Sequence, residues 1–128
     1  MTHVRGKVRL NKMEDNSILN SIKKLLGLSL DYNPFDADII LHINTVFANL
    51  AQMGVNPSGN ENGFSISDSS TTWSEFTNDN NLLNNVKSYV YLKVRMIFDP
   101  PTVGSITESF NNQIRELEYR LYTQEGGY

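Results

Sequence analysis

The stretch from Asn81 to Pro101, NLLNNVKSYVYLKVRMIFDPP, constrains this chain more than any other. Between Tyr89 and Phe98 it is apolar on nearly every side, broken only by Lys93 and Arg95. At about 100° per residue, Leu82, Val86, Tyr89, Val90, Met96 and Ile97 share one helical face, and Tyr91, Val94 and Phe98 take the opposite one. A helix that is apolar all round needs neighbours on several sides. It is therefore the central helix of an all-helical domain. Two prolines stop it: Pro100 disfavours helical angles at Asp99, and neither ring nitrogen has a proton to donate.

A chain of 128 residues is one domain with enough interior to hold a core unaided. It has no cysteine, which excludes disulfides, thiolate metal sites and cysteine nucleophiles. No apolar run approaches the roughly 18 residues that a membrane span needs. The start, MTHVRGKVRLNK, is basic but has no apolar run behind it, unlike a signal peptide. These features lead us to expect a cytosolic product with no membrane partner.

The net charge of −3 conceals an asymmetry. Of the eleven lysines and arginines, four (Arg5, Lys7, Arg9 and Lys12) lie in the first twelve residues, leaving seven against all fourteen acids. A body that acidic is a poor candidate for gripping DNA through its phosphates. The basic arm reads first as a frayed terminus with solvated charges, and second as a nucleic-acid contact.

Along the chain, Asn16 to Leu26 is expected to form a first helix with Ile18, Ile22, Leu25 and Leu26 on one face, closed by Gly27. Asn33-Pro34-Phe35-Asp36 reads as a helix start, with Asn33 as cap and Asp36 at the positive helix end. That second helix runs to about Met53 on the stripe Ile39, Ile40, Ile43, Val46, Phe47, Leu50 and Met53, and Gly54 closes it. Leu41 and Ala48 fall on its far side, either as incidental surface residues or as a contact with a neighbouring subunit.

From Val55 to Thr71 the chain is rich in Gly, Asn and Ser and cannot be helical. Phe64 and Ile66 alternate with Ser65 and Ser67, which suggests a short extended piece or half a β-hairpin in a projecting loop with a disordered tip at Asn56–Asn62. Thr72-Trp73-Ser74-Glu75 fits a capping box opening a short helix, with Trp73 and Phe76 pinned to the core. Asp79 or Asn80 then caps the central helix. Ser105-Ile106-Thr107-Glu108 offers a second capping box to a last helix, whose face is Val103, Ile106, Phe110, Ile114, Leu117 and Leu121. On its outer side Glu116 and Arg120 stand one turn apart. The expected architecture is all-α: a small bundle of four to five helices with a long loop or short β-hairpin between the second and third. A flexible arm (1–15) precedes the helical domain (16–123), and a flexible tail (124–128) follows it.

Reactive chemistry finds little footing. His3 and His42 are the only histidines, no HExxH is present, and neither a phosphate loop nor a nucleophile elbow occurs. No catalytic, cofactor or metal residue is assigned. Asp36 and Asp38 are two positions apart on a helix and do not face together. Lys93 projects into the apolar face of the central helix. Its ammonium either snorkels out or pairs with Asp36 or Asp38, and we take Lys93 with Asp38 as the candidate buried pair.

The ordered pieces SIKKLLGLSLDYNPFDADIILHINTVFANLAQMGV, GFSISDSSTTWSEF, VKSYVYLKVRMIFDPPT and NNQIRELEYRL resemble the small head–tail connector (head-completion or adaptor) proteins of long-tailed bacteriophages. The resemblance spans roughly Ser17 to Leu121, and its most specific parts are GF-x-I-x-D…TW-x-x-F and Y-x-Y-L-K-V-x-x-x-F-D-P-P. It implies a non-enzymatic virion protein at the head–tail junction, made in the host cytoplasm and working without a cofactor. Its subunits form a homo-oligomeric ring beneath the portal protein, extend the channel for double-stranded DNA, and present a surface to a downstream head-completion or tail protein. Such subunits can stay monomeric until they meet the portal. Candidate interface residues are Leu41, Ala48, Phe64, Ile66, Tyr91, Tyr119 and Tyr122. A DNA-binding packaging accessory using the basic arm is the rival reading.

Overall fold

The computed structural model describes residues 16–124, so the basic arm (1–15) and residues 125–128 of the tail lie outside the described residues. Within them the chain forms five helices and no strand: α1 (Ile18–Leu25), α2 (Asp36–Gln52), α3 (Trp73–Phe76), α4 (Asn80–Phe98) and α5 (Gly104–Gln124). α4 is the hub. It packs chiefly against α5 on one side and α2 on another, and α1 leans on both α2 and α4. Leu82, Val86, Tyr89, Val90, Leu92 and Val94 of α4 are buried, so its apolar surface is indeed covered from several directions. Each such side chain, fully removed from water, contributes about 1.5–3 kcal/mol.

Local chemistry sets the helix ends. Ser17 caps α1 by accepting from the Asn20 N–H, and Gly27 (φ 82°) closes it, letting the Leu28 N–H reach the Lys23 carbonyl at 2.9 Å. Gly54 (φ 93°) does the same for α2, where the Val55 N–H meets the Leu50 carbonyl at 2.8 Å. Asp79 caps α4 through Oδ1, which accepts from the Asn81 and Leu82 N–H groups. At α3, Glu75 Oε2 reaches back to the Thr72 N–H at 2.7 Å, the reach a capping box requires. α4 ends at Phe98, just before the prolines, and Arg95 Nε donates to the Asp99 carbonyl at 2.6 Å.

Two expected starts differ. Phe35, not Asn33, holds the N-cap position of α2 and has no side-chain cap bond. The Asn33 side chain faces α1 instead, where Oδ1 lies 3.5 Å from Lys23 Nζ. α5 begins at Gly104, one residue ahead of the expected box, and the Val103 carbonyl accepts from Ile106 and Thr107. Glu116 and Arg120 do pair along the outside of α5.

The 55–71 segment is the main departure from the sequence reading. It is the expected long loop between the second and third helices and not a hairpin, but its apolar residues are docked on the body instead of projecting from it. Val55, Phe64 and Ile66 are folded into the core. Asn44 on α2 clamps Ile66 from both sides of its peptide: Nδ2 donates to the Ile66 carbonyl (2.9 Å) and Oδ1 accepts its N–H (2.8 Å). A side-chain amide thus supplies the pairing that a neighbouring strand would have supplied. The tip at 56–63 is two successive turns, closed by Gly59 N–H to the Asn56 carbonyl and Gly63 N–H to the Asn60 carbonyl. Further on, the segment is tied to the start of α1 by Ser17 Oγ to the Ser69 carbonyl (2.6 Å) and Ile18 N–H to the Thr71 carbonyl (3.0 Å).

Under this segment lies an aromatic cluster. Phe47 is 5.0 Å from Phe64, 5.1 Å from Phe76 and 6.2 Å from Trp73 by ring centroids, and Phe64 meets Phe76 edge-on at 5.3 Å. Trp73 is fully buried, and its indole N–H donates to Ser21 Oγ at 2.8 Å. The short helix α3 is therefore a plug that joins α1, α2 and the 55–71 segment.

Candidate functional site

The described residues offer exposed apolar surface on several helices. Among the described residues no group of three or more His, Asp or Glu side chains is placed to hold a metal ion, and no helix is long and apolar enough to cross a membrane.

The residues expected at an interface divide in two. Leu41 is 62% exposed on the outer side of α2, and Ala48 lies exposed two turns further along the same stripe. Tyr119 and Tyr122 are exposed on α5. Tyr91 is half-buried and lines a groove of about 230 Å³ with Leu25, Lys87, Ser88, Leu92 and Gln113, where α1, α4 and α5 meet. Phe64 and Ile66, by contrast, are only 8% and 5% exposed. Alternation placed them on one side of an extended piece, and that side faces the core. A partner does not reach them in the subunit as folded.

The buried cation is also not where the helical projection put it. Among the described residues the buried ion pair is Lys23–Asp36, not Lys93–Asp38. Lys23 is 1% exposed, and its Nζ sits 2.8 Å from Asp36 Oδ1 and 3.2 Å from the Leu30 carbonyl, which it engages as a donor. The contact with Asp36 is charge against charge, since its angles fall outside hydrogen-bond geometry. Lys93 is half-buried with its ammonium 5.9 Å from the centre of the Tyr89 ring, and Asp38 is exposed on α2. Lys23 thus fastens the connector 26–35 across the ends of α1 and α2.

Several apolar residues that helical phase assigns to core faces are exposed. Leu25, Ile97, Val103 and Ile106 are 54%, 51%, 52% and 44% exposed. All four lie in or beside the last or first turn of a helix, where a direction toward the core does not guarantee a neighbour. Phe35 and Tyr32 are exposed as well, Phe35 packing edge-on against Phe98 at 5.3 Å.

One titratable group is strongly perturbed. Burial, with the Glu118 carboxylate accepting its hydroxyl at 2.9 Å, holds the Tyr89 phenol well above its ordinary value of 10.0. The unfolded chain ionises there and the folded one does not. Stability from this group is complete below the free-phenol value and is lost as pH rises beyond it. We expect urea midpoints to fall above about pH 10, where a free tyrosine ionises. Tyr89→Phe should make that decline shallower. An unchanged slope would remove Tyr89 from the account.

Exposed apolar residues on separate helices are the surface features of the described residues, and comparison with known families gives the class of protein that carries them. The family model described as phage connector protein matches residues 18–128, and the chain belongs to that family. It is a structural connector component of a bacteriophage. No curated relative and no solved structure matched.

Proposed function

We propose that this chain is the repeating subunit of a ring at the head–tail junction of the virion. The ring docks beneath the portal protein, extends the channel through which double-stranded DNA passes without sequence recognition, and offers the attachment surface for the next head-completion or tail protein. The family match over residues 18–128 carries the proposal. The fold is compatible with it, because a closed ring needs two unlike faces per subunit and the exposed apolar residues lie on different helices. No step in this function calls for a cofactor or a bond to be broken.

Electron micrographs of the purified protein, alone and mixed with its portal, test the proposal. Rings or decorated portals are the expected result. Virions lacking the protein that still retain DNA and join tails normally would overturn it. A rival reading makes residues 1–12 a DNA grip for packaging, resting on Arg5, Lys7, Arg9 and Lys12 with no acid among them. It requires salt-sensitive DNA retention that vanishes when those residues are deleted.

A further inference from the structure

Charge is divided between the elements of this fold. From Leu25 to Val86 there is no lysine or arginine and there are seven acids, so α2, the 55–71 segment and α3 form a wholly acidic half. The cations of the described chain lie on α1 (Lys23, Lys24), α4 (Lys87, Lys93, Arg95) and α5 (Arg115, Arg120).

Each half also carries an exposed apolar feature on the outside of its helices. On the acidic half, Asp38, Leu41, Thr45 and Ala48 make a single exposed stripe along the outside of α2, with Leu41 as its protruding residue. On the basic half is the groove where Leu25, Tyr91 and Leu92 supply apolar walls and Lys87 a cation, with Lys24 adjacent to Leu25. α4 has α2 and α5 as its main packing partners, and α2 and α5 share no comparable contact. Stripe and groove therefore belong to different sides of the subunit.

We propose that the α2 stripe of one copy seats in the α1–α4–α5 groove of the next, with Leu41 entering between Leu25 and Tyr91 and Asp38 directed toward Lys87. The inference rests on the ring reading and adds to it which two faces meet. The charge division selects this pairing over its alternatives. Stripe against stripe would join two acidic surfaces, and groove against groove would bring Lys87 toward its own copy; only stripe against groove is complementary. A contact of this kind is head-to-tail and propagates around a closed ring, whereas a two-fold contact ends at a dimer.

The absence of native cysteine makes the test direct. Leu41→Cys and Leu25→Cys are made as separate, differently tagged full-length chains, both at exposed positions, then mixed and treated with a short bis-maleimide in the presence of portal. The mixed Leu41→Cys/Leu25→Cys dimer should dominate over either homodimer by at least about ten-fold. As a second readout, Asp38→Asn should weaken assembly several-fold at low salt and have little effect at high salt. Rings that form without the mixed cross-link, or with the Leu41→Cys homodimer dominant, overturn this pairing and leave the ring reading standing. Failure of any oligomer to form on the portal would remove both.

Discussion

Trp73→Ala is expected to destabilise the subunit by about 3–5 kcal/mol, the usual cost of emptying a large aromatic site. Three physical losses add here. The indole is fully buried, its ring packs 6.2 Å from Phe47, and its N–H satisfies Ser21 Oγ. Around it, α1, α2 and the 55–71 segment converge, so the cavity cannot close by moving one element alone. A domain of this size has a total stability of roughly 5–15 kcal/mol. The variant should therefore lose a large share of its stability and melt well below the parent chain. Trp73 is the sole tryptophan, so the unfolding curve must be followed by circular dichroism rather than fluorescence. Ser21→Ala separates the polar share from the packing share: it leaves the indole N–H unpaired in a dry site, for about 1–3 kcal/mol. If Trp73→Ala cost less than Ser21→Ala, the aromatic plug would not be the keystone we describe.

The second large effect concerns Lys23 and Asp36. Removing the carboxylate by Asp36→Ala leaves a 1%-exposed ammonium with only the Leu30 carbonyl and Asn33 near it. Breaking a fully buried pair from one side costs about 3–5 kcal/mol; Asp36 keeps some contact with water, so about 2–4 kcal/mol is expected. Lys23→Met should be milder, near 1 kcal/mol, because an apolar chain of similar length fills the site and the main loss is the donor to Leu30. The order matters more than either value. Urea midpoints in which Lys23→Met is the more damaging variant would mean that the ammonium stabilises the connector 26–35 through its hydrogen bond, not through Asp36.

The helices were legible in the sequence wherever the reason for them was local. α4 announces itself because an apolar surface on all sides followed by Pro-Pro admits few other readings. Gly27, Gly54 and Asp79 act where their chemistry places them. What stayed hidden depended on distant pairing. Asn44 is one polar residue on a helix, and nothing near it in sequence says that its amide will hold Ile66, 22 positions away. With that clamp unseen, the 55–71 segment reads as a projection, and Phe64 and Ile66 read as free to meet a partner.

The ion pair failed for a related reason. Helical projection gives a direction, and burial needs a neighbour in that direction. Lys93 points toward an apolar face yet only lies half-buried over the Tyr89 ring, whereas Lys23 is covered because the connector folds back over it. The buried face of α1 is centred on Ile18, Leu19 and Ile22, which turns Leu25 outward into the groove. Of the candidate surfaces, Leu41 and Ala48 were visible in the sequence as residues out of phase with their own helix. The groove was not, since three elements build it.

The doubly bonded Asn44 has a kinetic consequence for assembly. Because the 55–71 segment is already docked on its own chain, formation of the proposed ring would call for no folding of that segment and little further loss of its freedom. Growth of the oligomer should then be set by collision and orientation, at rates typical of pre-formed surfaces, and each added copy should arrive in its final shape.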